Sequence, residues 1–340
     1  MSTSMGEGHA AVREGTRQLT YVLAVNEAMR WGLATYPEAL LFGEDVAIPG
    51  GPYGASRRLH SEFGARVFDT PISETAMLGA GVGAAMRGMR PIVEIMFSDF
   101  FLVALDQMVN QAANVRYTSR GRYSCPLTVR SQQAATPGAC RQHTHSFEAF
   151  FAHVPGLYVG LPSTARDAYE MLRTAIATDD PVVLLESRAL YQEKQEFVLD
   201  DPVEAIGGAR SLHSGDDLTL ITWGRMTRDA VTAAERLHDE GVEVDVIDLR
   251  WLAPLDFDAV AKSVESTGRV VIAHEANVTG GFGAELAARI AGELFWHLDA
   301  PIARVGAGDV PLPAAPVLQA SLLPSADAIV DAARRVVDPA

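Results

Sequence analysis

The amino-acid sequence predicts an α/β protein of two domains with mainly parallel sheets. Short apolar segments alternate with amphipathic segments along the chain, which is the pattern of strands and helices in βαβ units. The alternation is interrupted by a polar, acidic stretch after residue 190. With 340 residues, of which 48% are hydrophobic, the chain is long enough for two cores. We expect a disordered tail over 1–18, a first domain over 19–190, a linker over 191–205 and a second domain over 206–340.

The elements of the first domain follow from local apolar patterns. Apolar residues recur at helical spacing from Thr20 to Thr35, and a glycine-spaced helix is expected over Glu74–Met86. Further helices are expected over 56–63, 98–117 and 163–178. Short apolar runs bounded by polar or glycine-rich segments predict strands over 40–43, 66–69, 91–96, 126–130, 157–160 and 182–186.

The second domain is expected to be a smaller α/β unit. Residues 218–222, 227–240 and 242–247 form one strand-helix-strand pattern. Residues 270–274, a loop over Gly280–Gly283 and a helix over 284–294 repeat the strand-to-helix part of it. An anion could bind at the start of that helix, although a plain tight loop is the simpler interpretation.

Composition excludes several classes of function. The chain has 28 basic and 43 acidic residues and a formal charge of −15, which argues against nucleic-acid binding. No apolar run approaches the ~18–20 residues needed to cross a bilayer, and residues 1–17 lack the apolar core of a signal peptide. The two cysteines form no C-x-x-C pair. We therefore expect a reduced, cytoplasmic protein.

Glu74 is the first candidate for chemistry. It opens a helix directly after the segment Asp69–Ser73, and the glycines at 79, 81, 83 and 88 suggest close packing or a ligand surface. An acid in the first turn of a helix is also favoured by the macrodipole alone, and Ser73 could be a plain N-cap. The G-x-G-x-x-A pattern that begins at Gly79 lies inside the helix, so it does not indicate dinucleotide binding.

Three histidines and two apolar side chains are the other candidates. His143, His145 and His153 lie within a dozen residues, but no cysteine or spaced carboxylate completes a zinc pattern. His143 follows an irregular loop after a strand and could transfer protons in a pocket, whereas the other two are better explained as loop or core residues. Met96 and Phe100 follow the third strand, where they could be core or could line a planar ligand.

Taken in order, these segments resemble the beta subunit of the thiamine-diphosphate-dependent decarboxylating component of 2-oxoacid dehydrogenase complexes. Pyruvate, branched-chain 2-oxoacid and acetoin dehydrogenases share this transketolase-like subunit. The resemblance runs from about Leu19 to the C-terminus. It rests on Gly43–Asp45, Asp69–Glu74, Val82–Met86, Arg90–Ile92, Asp106–Asn110, Gln142–His143, Ala149–His153 with Pro155–Gly156, Asp248–Arg250, His274–Ala276 and Thr279–Gly281.

The resemblance implies a role for each candidate. It implies that Glu74 hydrogen-bonds the pyrimidine nitrogen of thiamine diphosphate and that Phe100, with Met96 beside it, lies against the same ring. It implies that His143 assists acyl transfer to the lipoyl group of an acyltransferase. It also implies a structural potassium ion, at the positions of Leu127, Thr128, Ala175, Thr178 and Asp180.

The sequence lacks the Gly-Asp-Gly motif with which thiamine enzymes hold diphosphate and magnesium. In the family this motif lies on the alpha subunit, so the resemblance implies an α2β2 heterotetramer with magnesium on the alpha subunit and an inactive isolated chain. It also implies docking of the acyltransferase's subunit-binding domain, with which an acidic chain is compatible.

Some features depart from the family. The loop Ser131–Ala139 is poor in glycine, His143–His145 reads HTH where HSQ is common, and Thr178 replaces a common acid. These departures are compatible with an unusual substrate or an unusual acyl acceptor. The alternatives are acetoin cleavage, a biosynthetic carboligase on the same fold, and a non-catalytic scaffold subunit. Among the substrates, the sequence does not choose between pyruvate, branched-chain acids and acetoin.

Overall fold

The computed structural model describes residues 15–136, 138–199 and 202–338. Over these residues the strands are β1 (Thr16–Thr20), β2 (Ala39–Gly43), β3 (Val67–Asp69), β4 (Arg90–Ile95), β5 (Thr128–Gln133), β6 (Tyr158–Gly160), β7 (Val182–Ser187), β8 (Lys194–Val198), β9 (Arg210–His213), β10 (Leu218–Thr222), β11 (Val244–Asp248), β12 (Trp251–Ala253), β13 (Val270–Asn277) and β14 (Ala303–Ala307).

The α-helices alternate with these strands. They are α1 (Tyr21–Thr35), α2 (Leu59–Phe63), α3 (Glu74–Met86), α4 (Val115–Thr118), α5 (Glu148–Ala152), α6 (Ala165–Ala177), α7 (Met226–Asp239), α8 (Phe257–Thr267), α9 (Phe282–Glu293), α10 (Pro316–Leu322) and α11 (Ala326–Val337). Side-chain oxygens cap α1, α6, α8 and α11, because Thr20, Thr164, Asp256 and Ser325 each accept a first-turn amide. None of the described helices is long and apolar enough to span a bilayer.

A seven-stranded sheet forms the first domain, in the order β12-β6-β7-β5-β4-β2-β3. All its pairings are parallel except that of β12 with β6. Residues of β5 and β7 are buried along their whole length, as expected for central strands covered on both faces. Because these strands run in one direction, the loops that follow β2, β4, β5 and β7 meet at one edge of the sheet.

Helices cover both faces of this sheet. One core lies between the sheet and helices α1 and α6. The core on the opposite face includes residues of α3 and continues into the second domain through side chains such as Trp223 and Leu249. The two domains therefore share apolar packing.

The second domain has a five-stranded sheet in the order β14-β13-β10-β11-β9, in which only β9 is antiparallel. Helices α7 and α11 pack over one face and α8 and α9 over the other. The predicted fold class, α/β with parallel-dominated sheets, is confirmed.

A buried group of ion pairs joins the domains. Arg250, which follows β11, lies 3.0 Å from the carboxylate of Asp167 and donates to Glu204 at 2.6 Å. Arg210 of the second sheet lies 2.7 Å from the same Asp167 and also contacts Glu170. These contacts hold α6 of the first domain against the start of the second.

The structure differs from the prediction at the tail and at the linker. Residues 1–14 of the predicted tail lie outside the described residues, but Thr16–Thr20 forms a strand. It pairs antiparallel with Lys194–Val198, inside the predicted linker. The tail prediction is therefore wrong for residues 16–18. The two polar segments satisfy each other's backbone groups, which the apolar pattern of neither segment could indicate.

The long helix predicted over 98–117 is also wrong. The segment is a 3-10 turn over Ser98–Val103, a π-helical turn over Gln107–Gln111, a second 3-10 turn over Ala112–Asn114 and then α4. The side-chain amide of Asn114 donates to the backbone carbonyl of Val109 at 2.9 Å, across these irregular turns. Aromatic and small residues are buried at irregular intervals, and packing overrides the helical spacing.

Candidate active site

The candidate site lies where four parallel strands of the first sheet end. Tyr53 is in the loop after β2, Phe97 and Phe100 follow β4, His143 follows β5, and Arg188 follows β7. Ring contacts and hydrogen bonds join these side chains, although more than 130 residues separate Tyr53 from Arg188 along the chain. The carboxyl edge of the sheet thus collects them into one cluster.

Glu74 stands at the first position of α3, next to this cluster. Its side chain is half-buried, and Ser73 makes no side-chain cap to the helix. Thr75 donates to the carbonyl of Val103 at 2.5 Å, which holds the first turn of α3 against the turn that contains Phe100. The N-cap explanation for Ser73 is wrong, and capping therefore does not account for this serine and acid pair.

A second carboxylate, Glu44, is close enough to Glu74 to feel its charge. Glu44 directly follows β2, is buried, and has an Oε1 atom with no hydrogen-bond partner among the described residues. Burial raises the pKa of Glu44, and the negative charges of Glu74, Asp45 and Glu94 raise it further. A proton is therefore held more tightly at Glu44 than at an exposed glutamate. In the sequence, Glu44 belonged to the Gly43–Asp45 motif of the family resemblance, without a role of its own.

His143 is enclosed on several sides. Its ring meets the ring of Phe97 edge-on at 4.6 Å and that of Phe100 at 5.5 Å. The Nδ1 atom lies 3.2 Å from Sγ of Cys140. Among the described residues no hydrogen bond to Nε2 is present, so that nitrogen is available to a reacting group. The histidine and Phe100, both selected from the sequence, are thus brought together.

Met96, the remaining predicted cofactor residue, lies at the end of β4 and is half-buried. The other two histidines lie elsewhere. The ring of His145 stacks on Phe147, and its Nδ1 lies 2.5 Å from Asp99. His153 is exposed and lines a separate pocket beside Gly280. Among the described residues no three histidine, cysteine or acidic side chains form a metal site.

Arg188 was missed in the sequence. It is buried, donates to the carbonyl of His143 at 2.6 Å, and donates to the hydroxyl of Tyr53 at 2.9 Å. Its guanidinium lies over the ring of Phe97 at 4.7 Å. The only available signal was a charged residue directly after an apolar strand, which is too common to select it.

A buried ion cluster beneath the site was missed as well. Arg130, in the centre of β5, donates to both carboxylate oxygens of Glu186 at 2.8 and 2.7 Å and also bonds Glu94. Tyr191 donates to Glu186 at 2.5 Å. Burial raises the pKa of Glu94, an effect that the positive charge of Arg130 opposes. The cluster ties together the three central strands whose ends form the site.

The five residues predicted for potassium lie close to the opposite edge of the sheet. They are found at the start of β5 and around the C-terminal end of α6, at Leu127, Thr128, Ala175, Thr178 and Asp180. Two arginines donate hydrogen bonds to oxygen atoms of these residues. Arg90 donates to the carbonyl of Thr178 at 3.1 Å, and Arg116 donates to the carboxylate of Asp180 at 2.5 Å. The potassium site stays a prediction.

Comparison with known proteins gives the family. Residues 17–194 match the pyrimidine binding domain of transketolase, and residues 207–329 match the transketolase C-terminal domain. The 3-methyl-2-oxobutanoate dehydrogenase subunit beta of Mycobacterium tuberculosis is 42% identical over 331 residues, which cover 96% of this chain and 94% of that protein. The chain belongs to the family of 2-oxoacid dehydrogenase beta subunits.

Other members of this beta-subunit family carry different names. The pyruvate dehydrogenase E1 component subunit beta of Leifsonia xyli is 40% identical and covers 94% of this chain and 95% of its own length. The acetoin:2,6-dichlorophenolindophenol oxidoreductase subunit beta of Cupriavidus necator is 38% identical, with 94% and 98% covered. The family resemblance inferred from the sequence is confirmed, and the names leave the substrate open.

A solved structure supports the fold of this beta subunit. A split-gene transketolase, described as an inactive beta4 tetramer, superposes with a TM-score of 0.78 over 94% of this chain and 98% of that one. The sequences are 23% identical, so this likeness concerns the fold alone.

Proposed function

We propose that this chain is the beta subunit of a 2-oxoacid dehydrogenase that decarboxylates its substrate with thiamine diphosphate and passes the acyl group to a lipoyl acyltransferase. The observation that supports this most is the position of Glu74, half-buried at the start of α3, whose first turn Thr75 bonds to the turn that contains Phe100, the neighbour of His143. Every other part of the proposal extends from that arrangement.

The residues present fit the pyrimidine half of thiamine diphosphate. A carboxylate at Glu74 can accept a hydrogen bond from a protonated ring nitrogen, and Phe100 offers an aromatic face on the neighbouring turn. When bound, the cofactor supplies the electron sink that decarboxylation requires. Burial and the negative charge of Glu74 raise the pKa of Glu44, so Glu44 holds a proton more readily than an exposed glutamate does.

The diphosphate and magnesium require another chain. The sequence has no Gly-Asp-Gly motif, and among the described residues no group of acidic side chains forms a metal site. We propose that an alpha subunit supplies both, in an α2β2 heterotetramer. The exposed face of α3, with Ala76, Ala80 and Gly83, is made of small residues that allow close approach of a partner.

The proposed reaction has two steps, decarboxylation of the 2-oxoacid and transfer of the acyl group to the lipoyl group. We propose that His143 acts in the second step. When a lipoyl disulfide accepts the acyl group, its S–S bond breaks, one sulfur bonds the acyl carbon and the other leaves as a thiolate that needs a proton. The Nε2 atom of His143, which has no hydrogen-bond partner among the described residues, can supply that proton. Docking of the acyltransferase core to the second domain, structural potassium and a cytoplasmic location remain parts of the proposal. The last of these agrees with two cysteines that are both free in the structure.

Substrate assays on the assembled pair test the function. The chain is co-expressed with its alpha-type neighbour, and carbon dioxide release and reduction of an artificial acceptor are measured with pyruvate, 3-methyl-2-oxobutanoate and acetoin. We expect a thiamine-dependent reaction with one of the 2-oxoacids. Reduction with acetoin alone would move the assignment to acetoin cleavage, and no reaction in a stable pair would favour a carboligase or a scaffold.

A further inference from the structure

Arg188 is buried in an unusual way. The residue is 8% exposed, and among the described residues its guanidinium bonds two neutral oxygens and forms no ion pair with a carboxylate. A buried cation without a counter-charge is costly, so it normally has a specific role. Two aromatic rings and two neutral oxygens surround the guanidinium in place of a carboxylate. These contacts fix the orientation of the guanidinium but do not cancel its charge.

These contacts connect three loops that come from different strands. One terminal nitrogen donates to the hydroxyl of Tyr53 in the loop after β2, and the other donates to the carbonyl of His143 in the loop after β5. The guanidinium carbon, Cζ, lies 4.7 Å from the centre of the ring of Phe97, in the loop after β4. The planar fork of a guanidinium can satisfy such divergent acceptors at once, whereas a lysine ammonium has no matching geometry.

The bond from Arg188 satisfies a backbone carbonyl that the local turn leaves without a partner. Arg141–His143 is a single 3-10 turn, and its last carbonyl has no partner within the turn. Other anchors of this loop lie on either side of the turn: Ala134 and Ser98 donate to the carbonyl of His145 at 3.1 and 3.2 Å, and Ala135 donates to Glu275 at 3.0 Å. Arg188 therefore fixes the carbonyl of the residue that carries the imidazole, and its charge is favourable at the end of a turn.

The fixed backbone orients the ring. With its carbonyl held by Arg188, His143 keeps Nδ1 at 3.2 Å from Cys140 and its ring edge-on to Phe97, which is the ring that Arg188 covers. Arg188 and His143 thus both pack against the ring of Phe97. The Nε atom of Arg188 is itself buried and without a hydrogen-bond partner, so it is closed to a substrate.

We propose that Arg188 is a positioning residue for His143 and thereby governs acyl transfer to the lipoyl acceptor more than decarboxylation. The proposal rests on the function proposed above, because it needs an acyl acceptor at His143. It adds Arg188 to the proposed site. It also assigns Arg188 and His143 to acyl transfer and Glu74 to decarboxylation.

The test uses the assembled pair of this chain with its alpha subunit. Two rates are measured for each variant: 2-oxoacid-dependent reduction of an artificial acceptor, and acylation of an isolated lipoyl domain. We expect Arg188→Met to lower acylation on the order of 100-fold, the size of effect that a misplaced catalytic group produces, and to lower acceptor reduction far less. Arg188→Lys should restore little of the acylation, because one ammonium cannot reach both acceptors.

A double-mutant cycle distinguishes positioning from general damage. If Arg188 acts through His143, the variant with both Arg188→Met and His143→Ala should acylate no more slowly than His143→Ala alone. Arg173→Met is the matched control, since Arg173 is also buried over two rings, those of Trp31 at 4.6 Å and Tyr169 at 4.9 Å, far from the site. The control should leave the ratio of the two rates as in the wild type.

Three results would overturn the proposal. Additive losses in the double variant would show that Arg188 does not act through His143. An equal fall in both rates, in the methionine and the lysine variants alike, would make Arg188 a general structural residue. A rise in KM for the 2-oxoacid alone would make it a substrate-binding residue. If the wild-type pair fails to react with any 2-oxoacid, the proposed function itself fails, which is a different outcome.

Discussion

At the residue scale, the candidate site depends on two acids that differ in exposure. Glu44 is buried and Glu74 is half-buried; burial raises the pKa of Glu44, and the negative charge of Glu74 raises it further. The half-buried acid can reach a ligand, whereas the buried one cannot. Glu74 is therefore the acid whose removal should abolish the reaction directly.

Replacing Glu74 by glutamine is expected to lower the activity of the assembled pair by ~100-fold or more, because an amide is a poor acceptor for a charged ring nitrogen. The measurement is 2-oxoacid-dependent reduction of an artificial acceptor, with assembly checked by size exclusion. Glu62→Gln is the control, since Glu62 pairs with Arg30 at the surface, at 2.7 Å. Activity of Glu74→Gln close to that of the wild type would favour the scaffold function.

His274 gives a prediction of pH dependence. It is fully buried, stacked on Trp223 at 5.1 Å, and burial lowers its pKa to about 4 from 6.5. The unfolded chain binds this proton more readily than the folded one, so the free energy of unfolding should fall as pH decreases from 6.5 to 4, by about 3 kcal/mol in all.

Denaturant unfolding at several pH values between 7 and 4 measures this effect. In His274→Leu the fall over this range should be smaller by that amount, whatever the stability at pH 7. His238→Leu is the control because His238 is exposed and paired with Glu243 on the surface. An unchanged slope in His274→Leu would show that another group dominates the acid side of the stability curve.

The residue scale also shows where sequence reasoning ends. Glu74, Phe100 and His143 could be selected because short motifs surround them. Arg188 and Tyr53 could not, since each is an ordinary residue in its own segment and gains its role from a contact across 135 positions. A contact between distant loops leaves no local pattern.

At the element scale, the glycines of α3 have different roles. A Cβ atom at Gly81 would lie 3.0 Å from Leu127 and 3.2 Å from Val93, so this glycine lets the helix pack closely on the sheet. A Cβ atom at Gly83 would meet nothing within 4 Å. The sequence indicated close packing or a ligand surface without telling the positions apart.

Alanine substitutions should separate these roles. Gly81→Ala is expected to destabilise the chain by about 1–3 kcal/mol, because the core beneath it is full. Gly83→Ala should stabilise the isolated chain by about 0.5–1 kcal/mol, since alanine costs less in a helix interior. Denaturant unfolding of the isolated chain measures both.

The same Gly83→Ala variant tests the proposed partner surface. If the alpha subunit packs on the exposed face of α3, the added methyl group should weaken assembly while it stabilises the isolated chain. Binding to the alpha subunit is measured by titration. Unweakened assembly would place the partner on another face.

The segment after β4 shows how packing changes an element. Apolar spacing predicted one helix over 98–117, yet Phe101 is buried while Phe100 lies against His143 on the other side. Serving a core and a site with adjacent aromatic residues requires the irregular turns that the structure has. The regular elements α3 and β4, in contrast, match their predicted ranges within one residue.

At the scale of the whole molecule, the two domains are joined more tightly than the sequence suggested. The second half of the chain contributes β12 to the first sheet, and Arg250 and Arg210 contact Asp167 of the first domain. The predicted order of strands and helices was sufficient for the fold class. The pairing of β1 with β8 and of β12 with β6 was not predictable, because pairing partners of short polar or single strands depend on tertiary contacts.

The central claim is that this chain holds one part of a divided active site. Phe100 and His143 lie together at one sheet edge, and Glu74 opens the helix whose first turn is bonded to the turn that contains Phe100. The sequence has no motif for diphosphate and magnesium. The most direct test measures 2-oxoacid-dependent reduction of an artificial acceptor, with thiamine diphosphate and magnesium, by this chain alone, by the alpha subunit alone and by the two together. We predict activity only in the mixture. Activity of this chain alone would contradict the account.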